Sequence, residues 1–243
     1  MKLFLLLYLL TSLSVFSAEV VIFGDDSERP RIYLDKEGSP AGFLIDILKF
    51  IEKNSDLGFK IELLPWSRSY KSAVLGRGGI IGVSRNEERE GIFHFSDEIF
   101  SEDVLLVGKK KEEASFKGIQ TLEGKTVGIT RGGFYGEKFD EMRKAKVFKV
   151  LELNDSVQRI AMLLRGRIDW AVIGSGKIGL VSALKENGSG SLEDLFIAPE
   201  PLVRDANFIG FKRTVENKEI IFKINKVLSS KEGARFMSSY LNR

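Results

Sequence analysis

Apolar positions along this chain change their spacing repeatedly, and the changes mark out its elements. "EVVIFG", residues 19–24, is a β-branched apolar run ending in Gly24, whereas "FLIDILKFIEKN" repeats apolar residues at Leu44, Ile47, Leu48 and Ile51, the spacing of one helical face. The pattern goes on to predict a strand in "FKIELLP", a helix in "SRSYKSAVLG" and a short buried strand in "GIIGVS". The order is β-α-β-α-β, which argues for a parallel sheet with helices on its faces.

After the charged stretch Lys109 to Lys117 the same order restarts. "TLEGKTVGIT" predicts a strand over 126–130, "FYGEKFDEMRKA" a helix and "KVLEL" a strand. "NDSVQRIAMLLRGR" opens with Asp155 as N-cap and Gln158 three residues on, a capping-box pattern, and "IDWAVIG" is a further strand ending at Gly174. Two successive α/β units read better as two lobes than as one sheet. The tail from "NFIGFK" to "SSYL" adds a strand and two helices.

The N-terminal segment "MKLFLLLYLLTSLSVFSA" has one Lys, an apolar stretch from Leu3 to Leu10 and small residues at Ser17 and Ala18, the layout of a secretory signal peptide. The apolar run is shorter than the roughly 18–20 residues of a spanning helix, which leaves an uncleaved anchor as the weaker alternative. With no cysteine in the chain there is no junction for a lipid anchor, no disulfide, no thiolate metal site and no cysteine nucleophile. A free periplasmic protein is expected, held together by its core alone. Without residues 1–18 there remain 36 Lys and Arg against 34 Asp and Glu, a weak bias that does not suit a nucleic-acid reader. The basic clusters Lys109 to Lys111 and Arg143 to Lys146 are short and interleaved with acids, as on solvated faces.

In open α/β sheets ligands bind outside the carboxyl ends of the strands. Those ends carry Asp25 and Asp26, Trp66 and Arg68, Ser84 to Arg89, Arg131 to Tyr135, and Gly174 with Ser175. Arginines, aromatics and Gly-flanked amides together suit a small anion better than bond cleavage. In "VSRNEEREGIFHFSD", Arg89 stands between a short apolar strand and an alternating β-like segment that holds His94, the lone histidine, for which a structural role is expected.

Three further stretches, taken with that one, resemble a known family in that family's own order. "SPAGFLIDIL", "SRNEEREGIFHFSDEIF", "TLEGKTVGITRGGFYG" and "LLRGRIDWAVI" are similar to successive motifs of the bacterial periplasmic solute-binding proteins of the amino-acid type, family 3, and the likeness runs from about Val20 to Tyr240. The resemblance implies an α/β fold of two lobes, each a mixed, mostly parallel sheet flanked by helices, joined by a two-strand hinge. Lobe one would span 19–102 and 207–243 and lobe two 103–206, with crossings near "DVLLV" and "RDANF". It also implies periplasmic binding of a small carboxylate-bearing solute for delivery to an ABC-type importer, by a monomer without cofactor, metal or catalytic activity.

By the same resemblance Arg89 is the residue that takes the ligand carboxylate. A guanidinium presents a planar fork of donors that matches two carboxylate oxygens. Ser84 matches the hydroxyl residue that supports the same group, and Asp25 a position that touches ligand polar groups. Trp66 is either a cleft wall or packing at a strand end, and Arg68 either a partner for a second acidic group or a solvated helix-start residue. Gly132 and Gly133 free backbone amides ahead of a helix, either an anion site or a tight turn, with Arg131 beside them and Tyr135 offering a hydroxyl. Asp169 reads as structural. The family's amino-acid binders carry an aspartate five residues beyond that position to receive the ligand's ammonium, and here the position is Gly174. A carboxylate, peptide-like or otherwise acidic ligand therefore competes with a plain α-amino acid. A ligand sensor partnered with a membrane receptor, and a dehydratase-like enzyme on the same fold, are the other two classes.

The N-terminal layout generates the first expectation. N-terminal sequencing of exported protein should begin near Ala18 or Glu19 without lipid, and an intact Met1 would remove the signal peptide.

Overall fold

The computed structural model describes residues 19–241; the signal peptide expected over 1–18 lies outside them. The first half runs β1 (Glu19–Asp25), β2 (Ser27–Glu28), β3 (Ile32–Leu34), β4 (Pro40–Ala41), α1 (Phe43–Lys53), β5 (Gly58–Leu64), α2 (Trp66–Val74), β6 (Gly79–Ser84), α3 (Glu87–Ile92) and β7 (Phe93–Phe95). The long strand β8 (Phe100–Lys109) leads to β9 (Thr126–Thr130), α4 (Glu137–Lys144), β10 (Lys149–Leu153), α5 (Ser156–Leu164), β11 (Trp170–Ile173), α6 (Gly176–Asn187) and β12 (Leu195–Ile197). A second long strand, β13 (Val203–Lys212), returns the chain to α7 (Val215–Leu228) and α8 (Lys231–Leu241).

The sheet order β10-β9-β11-β8-β13-β6-β1-β5 contains both expected β-α-β-α-β units, with β1 parallel to β5 and β6, and β9 parallel to β10 and β11. Strands β8 and β13 run antiparallel through the middle, paired from Val104 with Val203 to Phe100 with Asn207. Beyond that shared stretch β8 pairs with β11 and β12, and β13 with β6 and β7. The result is a two-lobed mixed α/β fold in which two adjacent strands carry the chain from one lobe to the other and back.

Each lobe buries apolar side chains on both faces of its sheet. Helix α1 places Leu44, Ile45, Ile47, Leu48 and Ile51 against β1, β5 and α7, as its apolar spacing predicts. Gly42 caps that helix at φ 109°, with the Arg31 carbonyl oxygen where a Cβ would stand, so both its dihedral and its packing require glycine. In the second lobe Trp170 is fully buried beside Phe116 and Phe196. Asp155 caps α5 as expected, its Oδ1 accepting from the Gln158 amide at 2.7 Å.

Three features depart from the pattern-based reading. Arg89 lies in the short helix α3, capped by Asn86, whose Oδ1 accepts from the Arg89 amide at 2.8 Å. "EEREGI" is too short and polar to show a helical apolar period. Helix α6 escapes because Gly176 and Gly179 depress its helix propensity. Helix α4 starts at Glu137, three residues later than the expected start at Phe134, since Gly136 at φ 91° holds Phe134 and Tyr135 in the preceding loop.

On β8, Gly108 lies opposite Trp170 of β11, and a Cβ there would stand 2.8 Å from the indole ring. Gly108→Val is expected to cost about 1–3 kcal/mol through overpacking. Gly58→Ala, where nothing lies within 4 Å of the added carbon, is expected to stay within about 1 kcal/mol of wild type. Urea denaturation of the two variants checks this, and equal effects would exclude the close approach as the reason for glycine.

Candidate functional site

Between the lobes, at the carboxyl ends of the parallel strands, is a cavity of about 60 Å³. Its wall is made by Asp25 at the end of β1, Trp66 after β5, Ser84 at the end of β6, Thr130 at the end of β9 and Gly174 after β11. Arg89, Gly133, Phe134 and Tyr135 close it, with Glu28 and Arg31 on one side and Asp205 and Asn207 from β13 on another. The period-two strands and their ends thus deliver polar groups from six separate segments to one small space.

Arg89 is 4% exposed. Its Nη1 donates to the Ser84 carbonyl at 3.1 Å and its Nη2 to the Gly132 carbonyl at 3.4 Å. The guanidinium lies 5.0 Å from the Tyr70 ring centre and 6.0 Å from those of Trp66 and Phe134. Aromatic faces favour a cation by their quadrupole without neutralising it. Among the described residues Arg89 makes no ion pair, although the other guanidiniums near the cleft do.

Those others are Arg31 and Arg159. Arg31 pairs with Glu102 of β8. Arg159 of α5 is fully buried and bridges the lobes: its Nη2 lies 3.2 Å from Glu28 Oε1 and donates to Ser156 Oγ at 2.7 Å, while Nη1 donates to Thr130 Oγ1 at 2.6 Å. Burial opposes the charge on Glu28, but the Arg159 and Arg31 guanidiniums outweigh it and hold the carboxyl below its usual value. Trp66 Nε1 donating to the Gly132 carbonyl at 3.3 Å, and Arg29 beside Glu186 at 3.4 Å, add two more contacts across the cleft.

Of the residues singled out from sequence, Arg89, Ser84, Trp66, Asp25, Gly133 and Tyr135 meet at this cavity, and Arg68 and Arg131 are not in its wall. Both of those arginines are exposed, and Arg131 Nε lies 3.1 Å from Glu152 Oε2 on the neighbouring strand. The Ser84 hydroxyl donates to Asp205 Oδ2 at 2.7 Å, and the Tyr135 hydroxyl turns back to accept from the Thr130 amide at 2.8 Å. Asp169 accepts from the Thr126 amide at 2.8 Å and joins strand ends, while His94 stays in β7, opposite Phe211. Sequence reasoning missed Glu28, Arg31, Arg159 and Asp205. Arg159 had a signal: with Ser156, Ile160 and Leu163 it shares the buried face of α5, where a charge is out of place without a partner.

Residues 20–232 match the family of bacterial extracellular solute-binding proteins, family 3. The chain belongs to that family. It is 24% identical over 203 residues to the arginine-binding extracellular protein ArtP of Bacillus subtilis (strain 168), across 81% of this chain and 75% of that protein. Its fold matches a histidine kinase sensor domain similar to periplasmic binding proteins, with TM-score 0.79 at 17% identity over 93% of this chain and 96% of that one. It likewise matches holo ArgBP from T. maritima, with TM-score 0.72 at 23% identity over 91% and 96%. Family 3 proteins bind solutes and are not enzymes. Among the described residues no helix is long and apolar enough to cross a membrane.

The electrostatics of the cavity wall yield a pH dependence. Burial raises the Asp25 carboxyl from 3.8 to about 7, helped by Glu28 and opposed by bonds from Ser27 and by Arg31. The unfolded chain gives up this proton near its ordinary value and the folded chain near 7, so the proton's contribution to stability is full below about 4 and lost as pH rises through about 7. Asp25→Asn is neutral throughout. The stability of wild type relative to Asp25→Asn is expected to fall from about pH 4 to about pH 7, as read by urea denaturation at several pH values. A difference that does not change with pH would contradict the raised carboxyl.

Proposed function

We propose that this protein captures a small carboxylate-bearing solute between its lobes in the periplasm, with Arg89 as the carboxylate receptor, and presents the closed complex to an inner-membrane permease of ABC type or to a membrane sensor. The observation that carries this reading is a buried guanidinium that lines the cavity, is held by two backbone carbonyls and three aromatic rings, and has no ion-pair partner among the described residues. Backbone carbonyls orient the fork but leave its positive charge uncompensated. A carboxylate supplies the missing charge and matches the planar donors. Trp66, Ser84, Asp25, Gly133 and Tyr135 form the rest of the receptor.

The lobes, 19–102 with 207–243 and 103–206, close as rigid units about β8 and β13. The contacts of Glu28 with Arg159 and of Trp66 with Gly132 belong to the closed form. The family relationship and the amino-acid-binding relatives support solute capture, and the protein acts as a monomer. Mass spectrometry of small molecules released from purified protein names the ligand.

Arg89→Ala leaves a ligand carboxylate buried without its partner, an expected loss of about 2–5 kcal/mol. That is a weakening of about 30-fold to several thousand-fold at about 1.4 kcal/mol per tenfold. Arg89→Lys keeps the charge but not the fork and should recover only part of it. Calorimetric titration of the three proteins with the released compound decides the matter, and equal affinities would remove Arg89 from the site.

A further inference from the structure

Gly174, just after β11, stands in the cavity wall and offers no side chain to a ligand's cationic group. The space is open, since nothing lies within 4 Å of a Cβ built on Gly174. Three carboxylates nevertheless line the same cavity: Asp25, Glu28 and Asp205. Glu28 is taken by Arg159. Asp25 is neutral over much of the acidic range, with its Oδ1 receiving both the amide and the hydroxyl of Ser27 at 2.8 Å.

Asp205 differs from both. It makes no ion pair among the described residues, and its Oδ2 alone takes the two hydrogen bonds it receives, from Ser84 Oγ at 2.7 Å and from Asn207 Nδ2 at 3.4 Å. Burial raises its carboxyl above the ordinary value, against the opposing pull of Ser84, Arg31 and Arg89. Ser84 joins the two poles of the site: its carbonyl holds the Arg89 guanidinium and its hydroxyl holds Asp205. The guanidinium and the acid are thus gripped by the backbone and the side chain of one residue and line the same small cavity. Such an arrangement fits opposite charges carried on neighbouring atoms of a single ligand.

We propose that Asp205 on the returning strand β13 receives the cationic group of the ligand, in place of the strand end at Gly174, so that the protein selects a compact zwitterion whose two charges are both read by the first lobe and the crossing strands. This rests on the reading of Arg89 as carboxylate receptor. Lobe two then contributes the turn at Gly132 and Gly133, Phe134 and the Arg159 contact, which cover the ligand without reading its charge.

The test uses the twenty proteinogenic L-amino acids and, for each one that binds, the 2-hydroxy acid with the same side chain, which keeps the carboxylate and replaces ammonium by hydroxyl. Wild type is expected to bind at least one amino acid about 30-fold or more tightly than its 2-hydroxy counterpart, as a charged group meeting a buried partner implies. Asp205→Asn should lose most of that preference while changing 2-hydroxy acid affinity less than about threefold, since it removes a charge and keeps an acceptor for Ser84. Tighter binding of 2-hydroxy acids by wild type, or a preference unchanged in Asp205→Asn, overturns the assignment and leaves the carboxylate reading standing. Should Asp205→Asn fail to fold, Asp25→Asn decides: a kept preference supports Asp205, and a lost one moves the receiver to Asp25 and overturns the proposal. If neither class of compound binds, or if Arg89→Ala binds the amino acid as wild type does, the carboxylate reading fails and this inference fails with it.

Discussion

The antiparallel pairing of β8 with β13 is the constraint on which the rest of the structure depends. Five residue pairs, from Val104 with Val203 to Phe100 with Asn207, hold together the two strands that, among the described residues, run between the lobes, so their register decides which residues of lobe one meet which residues of lobe two. That register sets Glu102 directly opposite Asp205. Like charges facing each other across a ladder repel, and the arrangement is tolerable because burial raises both carboxyls toward the neutral form, Glu102 to about 7, while Arg31 pairs with Glu102 and opposes the rise at both. A guanidinium from the first lobe thereby secures the crossing.

The cleft above the crossing buries the ionisable side chains of Asp25, Glu28, Arg89 and Arg159. Desolvation of an ion costs several kcal/mol unless geometry and hydrogen bonds compensate. Glu28 with Arg159 meets that condition, whereas burial outweighs Arg31 at Glu102 and raises that carboxyl to about 7. Arg89 meets it only by half, through carbonyl oxygens and ring faces, and that shortfall is what supports its proposed role as carboxylate receptor. A donor fork already fixed by Ser84 and Gly132 would lose little side-chain freedom on taking up the proposed carboxylate, which is how preorganisation becomes affinity.

Legibility differed residue by residue, for reasons that can be named. Asp155 could be read as a cap because the interaction spans three residues. Arg159 was legible in the same local sense, as a charge on an apolar helical face, although its partner Glu28 lies 131 positions away. Glu28 and Asp205 carry no local mark at all: "DSERP" and "RDANF" are ordinary polar stretches until the sheet closes. Arg89 was placed at the cavity by its likeness to a family motif, while its secondary structure was misread, because a six-residue polar helix has no period to detect. Arg68 and Arg131 sit at strand ends as expected, but a strand end restricts position and leaves direction open, and both side chains are exposed.

By itself, then, the sequence determined the alternation of strands and helices, the doubling of the α/β unit and the strand ends at which polar residues gather, all of which follow from spacings of two to four residues, and, through the likeness of its motifs, the family. Only the tertiary structure decided which of those ends converge, that Ser84 turns its hydroxyl to Asp205 across 121 positions, and that Arg159 locks onto Glu28. The physical reason is range. Periodicity and capping are local properties of the chain, whereas the pairing of buried charges depends on the register of β8 with β13 and on how closely the lobes approach, which no short stretch of sequence encodes.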